Sequence, residues 1–147
     1  MRVIEKKCVY CGKYKKATVD HFYPKAIYRW CGDEYKDAII DKKNTVYACR
    51  ACNFRKQEKI YPIETIQDEE KKKELVEVRK NIGDGVSKFF GLKKKLRKKQ
   101  NGRCYGCGKM MTKNEGIIRR IDPEKPRKLE NACLVCDKCN KTEANFR

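Results

Sequence analysis

The hydrophobic positions in the first third of the chain fall in two short runs separated by polar residues. The runs ATVDHFY at 17–23 and TVYA at 45–48 are rich in β-branched and aromatic residues, which are typical of strands. The segment CNFRKQEKIY at 52–61 predicts a short helix that must end before Pro62, because the residue preceding a proline disfavours helical geometry. This region is therefore predicted to contain two strands followed by a helix.

The middle of the chain has a helical pattern. Residues 65–82 begin with acidic side chains, which stabilise a helix N-terminus, and then place apolar residues on one face. Gly-Asp-Gly at 83–85 interrupts the pattern, and residues 86–102 resume it. The apolar positions that predict the buried face of this connector are Leu75, Val78, Ile82, Val86, Phe89, Phe90 and Leu96.

Eight of the ten cysteines form four Cys-x-x-Cys pairs. Each pair places two thiolates on a short turn, and two such turns supply the four sulfur ligands of a tetrahedral zinc site. The alternative is a thiol–disulfide redox motif, but that motif needs a thioredoxin-like setting and four copies would be unusual. Two zinc sites are therefore predicted, one from Cys8, Cys11, Cys49 and Cys52 and one from Cys104, Cys107, Cys136 and Cys139.

The four pairs divide the chain into two matching halves. CVYCGK and CYGCGK open the halves, and NTVYACRACN and NACLVCDKCN close them. Between the pairs, VDHFYP aligns with IRRIDP, so that Arg119 and Arg120 replace Asp20 and His21. This pattern indicates an internal duplication in which those two positions have diverged.

The predicted fold class is α+β. Each half is expected to be a small unit of two strands and a helix held together by zinc, because only 39% of the residues are hydrophobic and a large apolar core is difficult to build. The expected organisation is a first zinc unit at 1–62, a helical connector at 63–101 and a second zinc unit at 102–147.

Basic residues exceed acidic ones in every part of the chain. Lys and Arg number 38 against 20 Asp and Glu, and the formal charge is +18. Such a surface favours a polyanionic partner such as nucleic acid, although a lysine-rich solubilising surface gives the same composition. No apolar run is long enough to span a membrane and the first residues lack a signal-peptide core, so a cytoplasmic location without membrane contact is expected.

The first half resembles the HNH endonucleases, the family of ββα-metal nucleases. The matching motifs are CVYC, VDHFYP, Asn44 and CRACNFRK through Lys56, which together span about residues 8–60. One departure is Asn53, which stands where the family name has its second histidine, and many members carry asparagine there. The resemblance implies tandem ββα-metal units joined by the connector, with the second unit degenerate.

The resemblance also implies roles for individual residues. His21 would be the general base that activates water, and Asp20 and Asn53 would hold one catalytic Mg²⁺ or Mn²⁺ ion. Asn44 would brace the loop beside His21, while the four cysteines of this half would hold structural zinc away from the chemistry. The residues expected near the substrate phosphate are Arg55 and Lys56.

His21 is the only histidine in the chain, and two other interpretations of it are open. A lone histidine in a strand is commonly a structural residue, and a histidine beside cysteines can be a zinc ligand. Four cysteines already complete the zinc site, however, and Asp20, Asn44 and Asn53 accompany His21. With an unperturbed pKa near 6.5, a neutral imidazole can accept a proton at neutral pH, and the constellation favours the general base.

The second half retains the zinc ligands and lacks the candidate base. Arginine is never deprotonated at working pH and repels a divalent cation, so this half is predicted to bind zinc without cutting. Its expected function is contact with a nucleic-acid backbone, and a structural cap for the first half is the alternative. The residues expected to make this contact are Arg119, Arg120, Arg127 and Lys128.

The sequence therefore favours a metal-dependent DNA endonuclease that hydrolyses phosphodiester bonds. The alternative is a non-catalytic zinc-bearing module that binds nucleic acid. A redox or zinc-storage protein is a third hypothesis, which leaves His21 unexplained. DNA is the expected partner and RNA the alternative, and both a monomer and a homodimer are compatible with the tandem arrangement.

Overall fold

The chain folds into mixed helix and sheet, which confirms the predicted α+β class. The computed structural model describes residues 4–113 and 115–141; residues 142–147 of the predicted second zinc unit lie outside this range, as do residues 1–3 of the first. The elements in chain order are β1 (Ile4–Lys7), β2 (Tyr14–His21), α1 (Ala26–Cys31), α2 (Lys36–Ile40), β3 (Thr45–Cys49), α3 (Arg50–Lys56), α4 (Glu69–Ile82), α5 (Gly85–Lys99), β4 (Ile117–Arg120), β5 (Ala132–Val135) and α6 (Asp137–Lys141).

The first half is a three-stranded antiparallel sheet followed directly by a helix. Strand β2 lies between β1 and β3, and it places Asp20 opposite Val46 and His21 opposite Thr45. The predicted strands at 17–23 and 45–48 correspond to β2 and β3, whereas β1, α1 and α2 were not predicted. The predicted helix at 52–61 is shifted: α3 ends at Lys56, and Gln57 adopts a positive φ of 46° that terminates it.

The second half repeats this arrangement with a two-stranded sheet and a short helix. Strands β4 and β5 are antiparallel, and they place Arg119 opposite Cys133 and Arg120 opposite Ala132. Ala132 and Cys133 precede Cys136 as Thr45 and Val46 precede Cys49. Arg119 and Arg120 therefore occupy the positions in β4 that Asp20 and His21 occupy in β2. The alignment of the two halves made from sequence therefore holds in the strand register.

A buried asparagine braces the same loop in both halves. Asn44 Oδ1 accepts a hydrogen bond from the Tyr23 amide at 2.9 Å, and its Nδ2 donates to the carbonyls of Tyr23 at 2.9 Å and Ile39 at 2.8 Å. Asn131 repeats the pattern: its Oδ1 accepts from the Asp122 amide at 2.9 Å and its Nδ2 donates to the Asp122 carbonyl at 3.0 Å. Each amide thus fixes the chain just after the strand that carries the candidate site.

The two connector helices share one hydrophobic core with both halves. Phe22 and Ile27 of the first half and Leu134 of the second belong to the same buried cluster as the inner faces of α4 and α5. Phe90 is the exception among the predicted core positions, because 50% of its surface is exposed on the outer face of α5. The predicted positions that are buried are Leu75, Val78, Ile82, Val86, Phe89 and Leu96.

Replacing Asn44 with alanine is expected to destabilise the fold strongly. Asn44→Ala leaves an amide and two carbonyls in a fully buried site without their partners, which costs roughly 2–4 kcal/mol. Urea unfolding at a fixed zinc concentration measures this loss. Asn81→Ala, on the exposed face of α4, is the control and should change the free energy of unfolding by less than about 0.5 kcal/mol. Equal stabilities of the two variants would contradict the bracing role.

Candidate functional site

Two clusters of four cysteines form the predicted metal centres. Within each cluster the four Sγ atoms lie within 4.8 Å of one another. Four sulfurs bound to zinc at about 2.3 Å in a tetrahedron are about 3.8 Å apart. The Sγ atoms of Cys107 and Cys136 are separated by 3.8 Å. Both clusters are therefore compatible with structural zinc: Cys8, Cys11, Cys49 and Cys52 in the first half, and Cys104, Cys107, Cys136 and Cys139 in the second.

A glycine closes the turn that carries the first two ligands of each cluster. The Gly12 amide donates to the Cys8 carbonyl at 2.9 Å, and the Gly108 amide donates to the Cys104 carbonyl at 2.9 Å. Both glycines have positive φ, 75° and 77°, which other residues adopt only with strain. The Cys-x-x-Cys-Gly motif shared by the halves therefore encodes one turn geometry.

The thiols of the second cluster differ in how readily they ionise. Burial raises the pKa of Cys104, but the backbone amides of Cys107, Cys136 and Gly106 outweigh it and lower this pKa to about 6. Burial and the neighbouring sulfurs raise the pKa of Cys139 to about 12. Four adjacent thiols become thiolates together only when a cation neutralises them, as a bound zinc ion does.

Asp20 is held by two side chains that meet on one of its oxygens. The Tyr10 hydroxyl donates a hydrogen bond to Asp20 Oδ2 at 3.0 Å, and Lys56 Nζ lies 3.7 Å from the same oxygen. Tyr10 belongs to the turn of the first cysteine cluster, so that turn and helix α3 together orient the carboxylate.

Lys56 lies in a different place from the one predicted. Its side chain is fully buried, and Nζ donates to the His21 carbonyl at 3.0 Å in addition to its ion pair with Asp20. A fully buried ammonium cannot contact a nucleic-acid backbone, so the prediction of a phosphate contact by Lys56 is wrong. The side chain turns inward because it pairs with Asp20 and caps the end of β2.

His21 lies at the end of β2 in a half-buried position. Burial lowers its pKa below 6.5, and the positive charges of Lys25, Lys56 and Arg29 lower it further, while Asp20 acts in the opposite direction. The net shift keeps the imidazole neutral at pH 7. A neutral imidazole is the form that can accept a proton.

Asn53 is oriented by β2. Its Nδ2 donates to Thr18 Oγ1 at 3.3 Å, and Thr18 is on the same face of the strand as Asp20, because side chains two residues apart share a face. Arg55 points elsewhere: its Nη2 lies 3.4 Å from Cys52 Sγ, at the cysteine cluster. Asn53 therefore packs on the face of β2 that also carries Asp20, whereas Arg55 lies beside the first cysteine cluster.

A cleft of about 690 Å³ lies between the two halves. Asp20 and His21 line it from the first half; Arg119, Arg120 and Arg127 line it from the second, together with Asn140. Lys128, which was predicted to act with these arginines, is exposed and lies outside the lining. Asn44 and Asn53 are also outside the lining.

Two residues near the site were missed in the sequence. Tyr10 carries no local signal, but the second half has Gly106 at the matching position, and that difference between the repeats points to it. Glu58 accepts a hydrogen bond from the Ile118 amide at 3.0 Å and lies 3.7 Å from Lys93 Nζ, so it links α3, α5 and β4. Only the folded structure brings these partners together.

Comparison of the chain with known protein families, characterised proteins and solved structures finds no match. The resemblance to HNH endonucleases rests on the residues described above. Among the described residues, no helix is both long and apolar enough to cross a membrane.

The purified protein is expected to contain two zinc ions per chain. Cys8→Ser/Cys11→Ser should remove one ion, and Cys104→Ser/Cys107→Ser the other, because each double variant leaves two sulfur ligands where four are needed. The number of zinc ions per chain is measured by elemental mass spectrometry of the metal together with the protein concentration. Cys31→Ser, outside both clusters, is the control and should retain both ions. Full zinc content in either double variant would overturn the assignment of ligands.

Proposed function

We propose that this protein is a metal-dependent DNA endonuclease of the HNH type. The observation that supports this most directly is His21, kept neutral beside Asp20 in a cleft lined by basic side chains. A neutral base, a carboxylate and positive charge are the groups that phosphodiester hydrolysis requires. The antiparallel strands followed by a helix, which occur in both halves with a cysteine cluster, support a tandem ββα-metal fold.

The proposed ligands of the catalytic cation are Asp20 and Asn53. Tyr10 and Lys56 engage Oδ2 of Asp20, and Thr18 engages Nδ2 of Asn53, so the Oδ1 atom of each residue is the one offered to a cation. One carboxylate and one amide oxygen suit a hard ion such as Mg²⁺ or Mn²⁺, with water and substrate completing its shell. When bound, this ion would stabilise the negative charge that develops on the phosphate.

The proposed mechanism is an attack by water on phosphorus. His21 accepts a proton from a water molecule, and the resulting hydroxide forms a bond to phosphorus as the bond to the leaving oxygen breaks. The leaving oxygen then takes a proton from solvent. Lys56 holds the His21 carbonyl and Asn44 holds the following loop, so the imidazole stays in place during the transfer. One such site cuts one strand at each encounter.

A second candidate is a zinc-bearing module that binds nucleic acid without cutting it. It is favoured by the second half, where Arg119 donates to Asn140 at 2.6 Å in the positions of Asp20 and Asn53. The scaffold therefore persists in this chain after the candidate catalytic residues have been replaced. This function needs no cleavage, and the experiment on His21 separates it from the first.

Replacing His21 with alanine is expected to abolish metal-dependent nicking. His21→Ala removes the general base, and the rate of relaxation of supercoiled plasmid in Mg²⁺ or Mn²⁺ should fall by about 10²–10⁴-fold. Added imidazole should restore part of this rate. Zinc content and DNA affinity should stay near those of the wild type, because His21 is not a zinc ligand.

The pH profile gives the same test an independent readout. Since the pKa of His21 is lowered, the wild-type rate should rise with pH through a midpoint below 6.5 and level off above it. A wild-type protein that binds DNA but never nicks it would contradict catalysis and support the binding module. Persistent nicking by His21→Ala would exclude His21 as the base.

Tyr10→Phe is expected to weaken the binding of the catalytic cation. The variant keeps the ring, which packs edge-on against Tyr61 with centroids 5.3 Å apart, but removes the hydrogen bond to Asp20. A hydrogen bond to a charged group contributes roughly 1.5–3 kcal/mol, so the Mg²⁺ concentration giving half-maximal nicking should rise by roughly 10- to 150-fold. The maximal rate should change by less than about threefold.

Tyr61→Phe is the matched control for this variant. It keeps the same aromatic pair and leaves the hydrogen bond from Tyr10 to Asp20 intact. The Mg²⁺ dependence of Tyr61→Phe should equal that of the wild type. An unchanged Mg²⁺ dependence in Tyr10→Phe would show that Tyr10 does not orient a metal ligand.

A further inference from the structure

The second repeat carries a positive charge where the first has its acidic residue. Arg119 occupies the strand position of Asp20, and Asn140 follows its last cysteine as Asn53 does. Arg119 Nη1 donates to Asn140 Oδ1 at 2.6 Å, which fixes the guanidinium group. Arginine stays protonated at working pH, so this pair repels a cation and attracts an anion. The second repeat can hold an anion without a metal.

Both repeats open into the same cleft. Asp20 and His21 lie at the end of β2, and Arg119 and Arg120 lie at the corresponding end of β4. All four line the cleft of about 690 Å³. An anionic chain that enters to reach the arginines of the second repeat therefore also meets the candidate catalytic residues of the first.

Positive charge exceeds negative charge in the lining of the cleft. Five basic and two acidic side chains line it. Both acidic residues have a basic partner outside the lining: Lys56 Nζ is 3.7 Å from Asp20, and Lys93 Nζ is 3.7 Å from Glu58. The basic residues of the lining are Lys25, Arg29, Arg119, Arg120 and Arg127.

Three of these arginines, one from the first half and two from the second, line the cleft together. Burial lowers the pKa of Arg127, and the charges of Arg120 and Arg29 lower it further. Arg29 is on α1 of the first half, whereas Arg120 ends β4 and Arg127 follows it. Mutual repulsion of this kind is relieved when an anion binds between the guanidinium groups.

The shape of the site selects the kind of anion. A lipid surface is broad and cannot enter a concave cleft, whereas one strand of a nucleic acid can. The volume is that of a site that encloses a small molecule, so a short length of one strand fits better than a duplex. Trp30 also lines the cleft, and aromatic side chains in such sites stack on bases.

Glu58 fixes the two repeats relative to each other at this cleft. It follows α3 of the first repeat, and its Oε1 accepts a hydrogen bond from the Ile118 amide of β4 at 3.0 Å. Its ion pair with Lys93 adds helix α5 to the same junction. The arginines of the second repeat are thereby held at a set distance from His21.

We propose that the cleft between the repeats is a single binding site for one nucleic-acid strand. Arg120 and Arg127 of the second repeat, with Arg29 of the first, hold the phosphates of the strand that passes His21. The second repeat is thus a part of the substrate site rather than a separate binding surface. The statement that the bound strand is the one cut rests on the proposed function.

The test compares Arg120→Gln/Arg127→Gln with Lys94→Gln/Lys95→Gln. Both remove two positive charges, but Lys94 and Lys95 are exposed on α5 outside the cleft. A labelled single-stranded DNA oligonucleotide is titrated in magnesium-free buffer, with anisotropy reporting total binding. Emission from Trp30, the only tryptophan, reports occupancy of the cleft.

When the oligonucleotide binds the wild-type protein, Trp30 emission is expected to change. The midpoint of that change should fall at the same concentration as the midpoint of the anisotropy titration. The arginine variant should bind the oligonucleotide about tenfold more weakly. The slope of log K against log salt concentration should also be smaller in magnitude by about 1.5 for this variant. The lysine variant should change affinity by less than about threefold. Binding that leaves Trp30 emission unchanged, or equal losses in the two variants, would overturn the proposal.

Two further outcomes separate this proposal from the proposed function. A protein that shows the expected binding shifts but never nicks DNA contradicts the endonuclease and still supports the cleft as a strand-binding site. Vesicles of anionic lipid that changed Trp30 emission as strongly as the oligonucleotide would identify a membrane ligand and overturn the proposal. The zinc content of each variant should equal that of the wild type, which shows that the repeats remain folded.

Discussion

The convergence of four cysteine sulfurs within 4.8 Å of one another is the constraint around which each half is built. In the first half it joins the turn after β1 to the junction of β3 and α3, segments about forty residues apart in the sequence. That junction sets where α3 begins, and α3 carries Asn53 and Lys56. The turn after β1 carries Tyr10, whose hydroxyl donates a hydrogen bond to Asp20 Oδ2 at 3.0 Å. The position of the candidate site therefore follows from the geometry of the sulfur cluster.

A comparison of the two halves distinguishes the residues that build the scaffold from those of the candidate site. The cysteines, the turn glycines Gly12 and Gly108 and the bracing asparagines Asn44 and Asn131 occur in both, and their hydrogen bonds match. Three other positions differ together: glycine replaces Tyr10, and arginines replace Asp20 and His21. Those three residues are linked in the first half, since Tyr10 contacts Asp20 and Asp20 adjoins His21. Tyr10, Asp20 and His21 therefore form one connected set in the first half that has no counterpart in the second.

The sequence predicted what depends on local pattern and missed what depends on distant partners. The cysteine spacing, strands β2 and β3, and helices α4 and α5 all have signals within a few residues. The short helices α1 and α2 do not, because they are stabilised by packing on the connector helices. Lys56 was expected near the phosphate because the resemblance to HNH endonucleases implies that role; its burial comes with its contacts to Asp20 and to the His21 carbonyl, 35 residues earlier in the chain. The shared cleft, likewise, is lined by segments distant in the sequence, and Glu58, which follows α3, joins them there through the Ile118 amide.

The positive charges around His21 favour two requirements of the proposed reaction and oppose a third. Positive side chains attract a phosphate backbone, and they also lower the pKa of the imidazole, which keeps it able to accept a proton. The same charges would repel a divalent cation from the cleft. Asp20 offsets this locally, and it is itself neutralised on only one oxygen, by Tyr10 and Lys56. Under the proposed function, the other carboxylate oxygen of Asp20 would be the place for the metal, and the basic side chains of the cleft would face the polyanion.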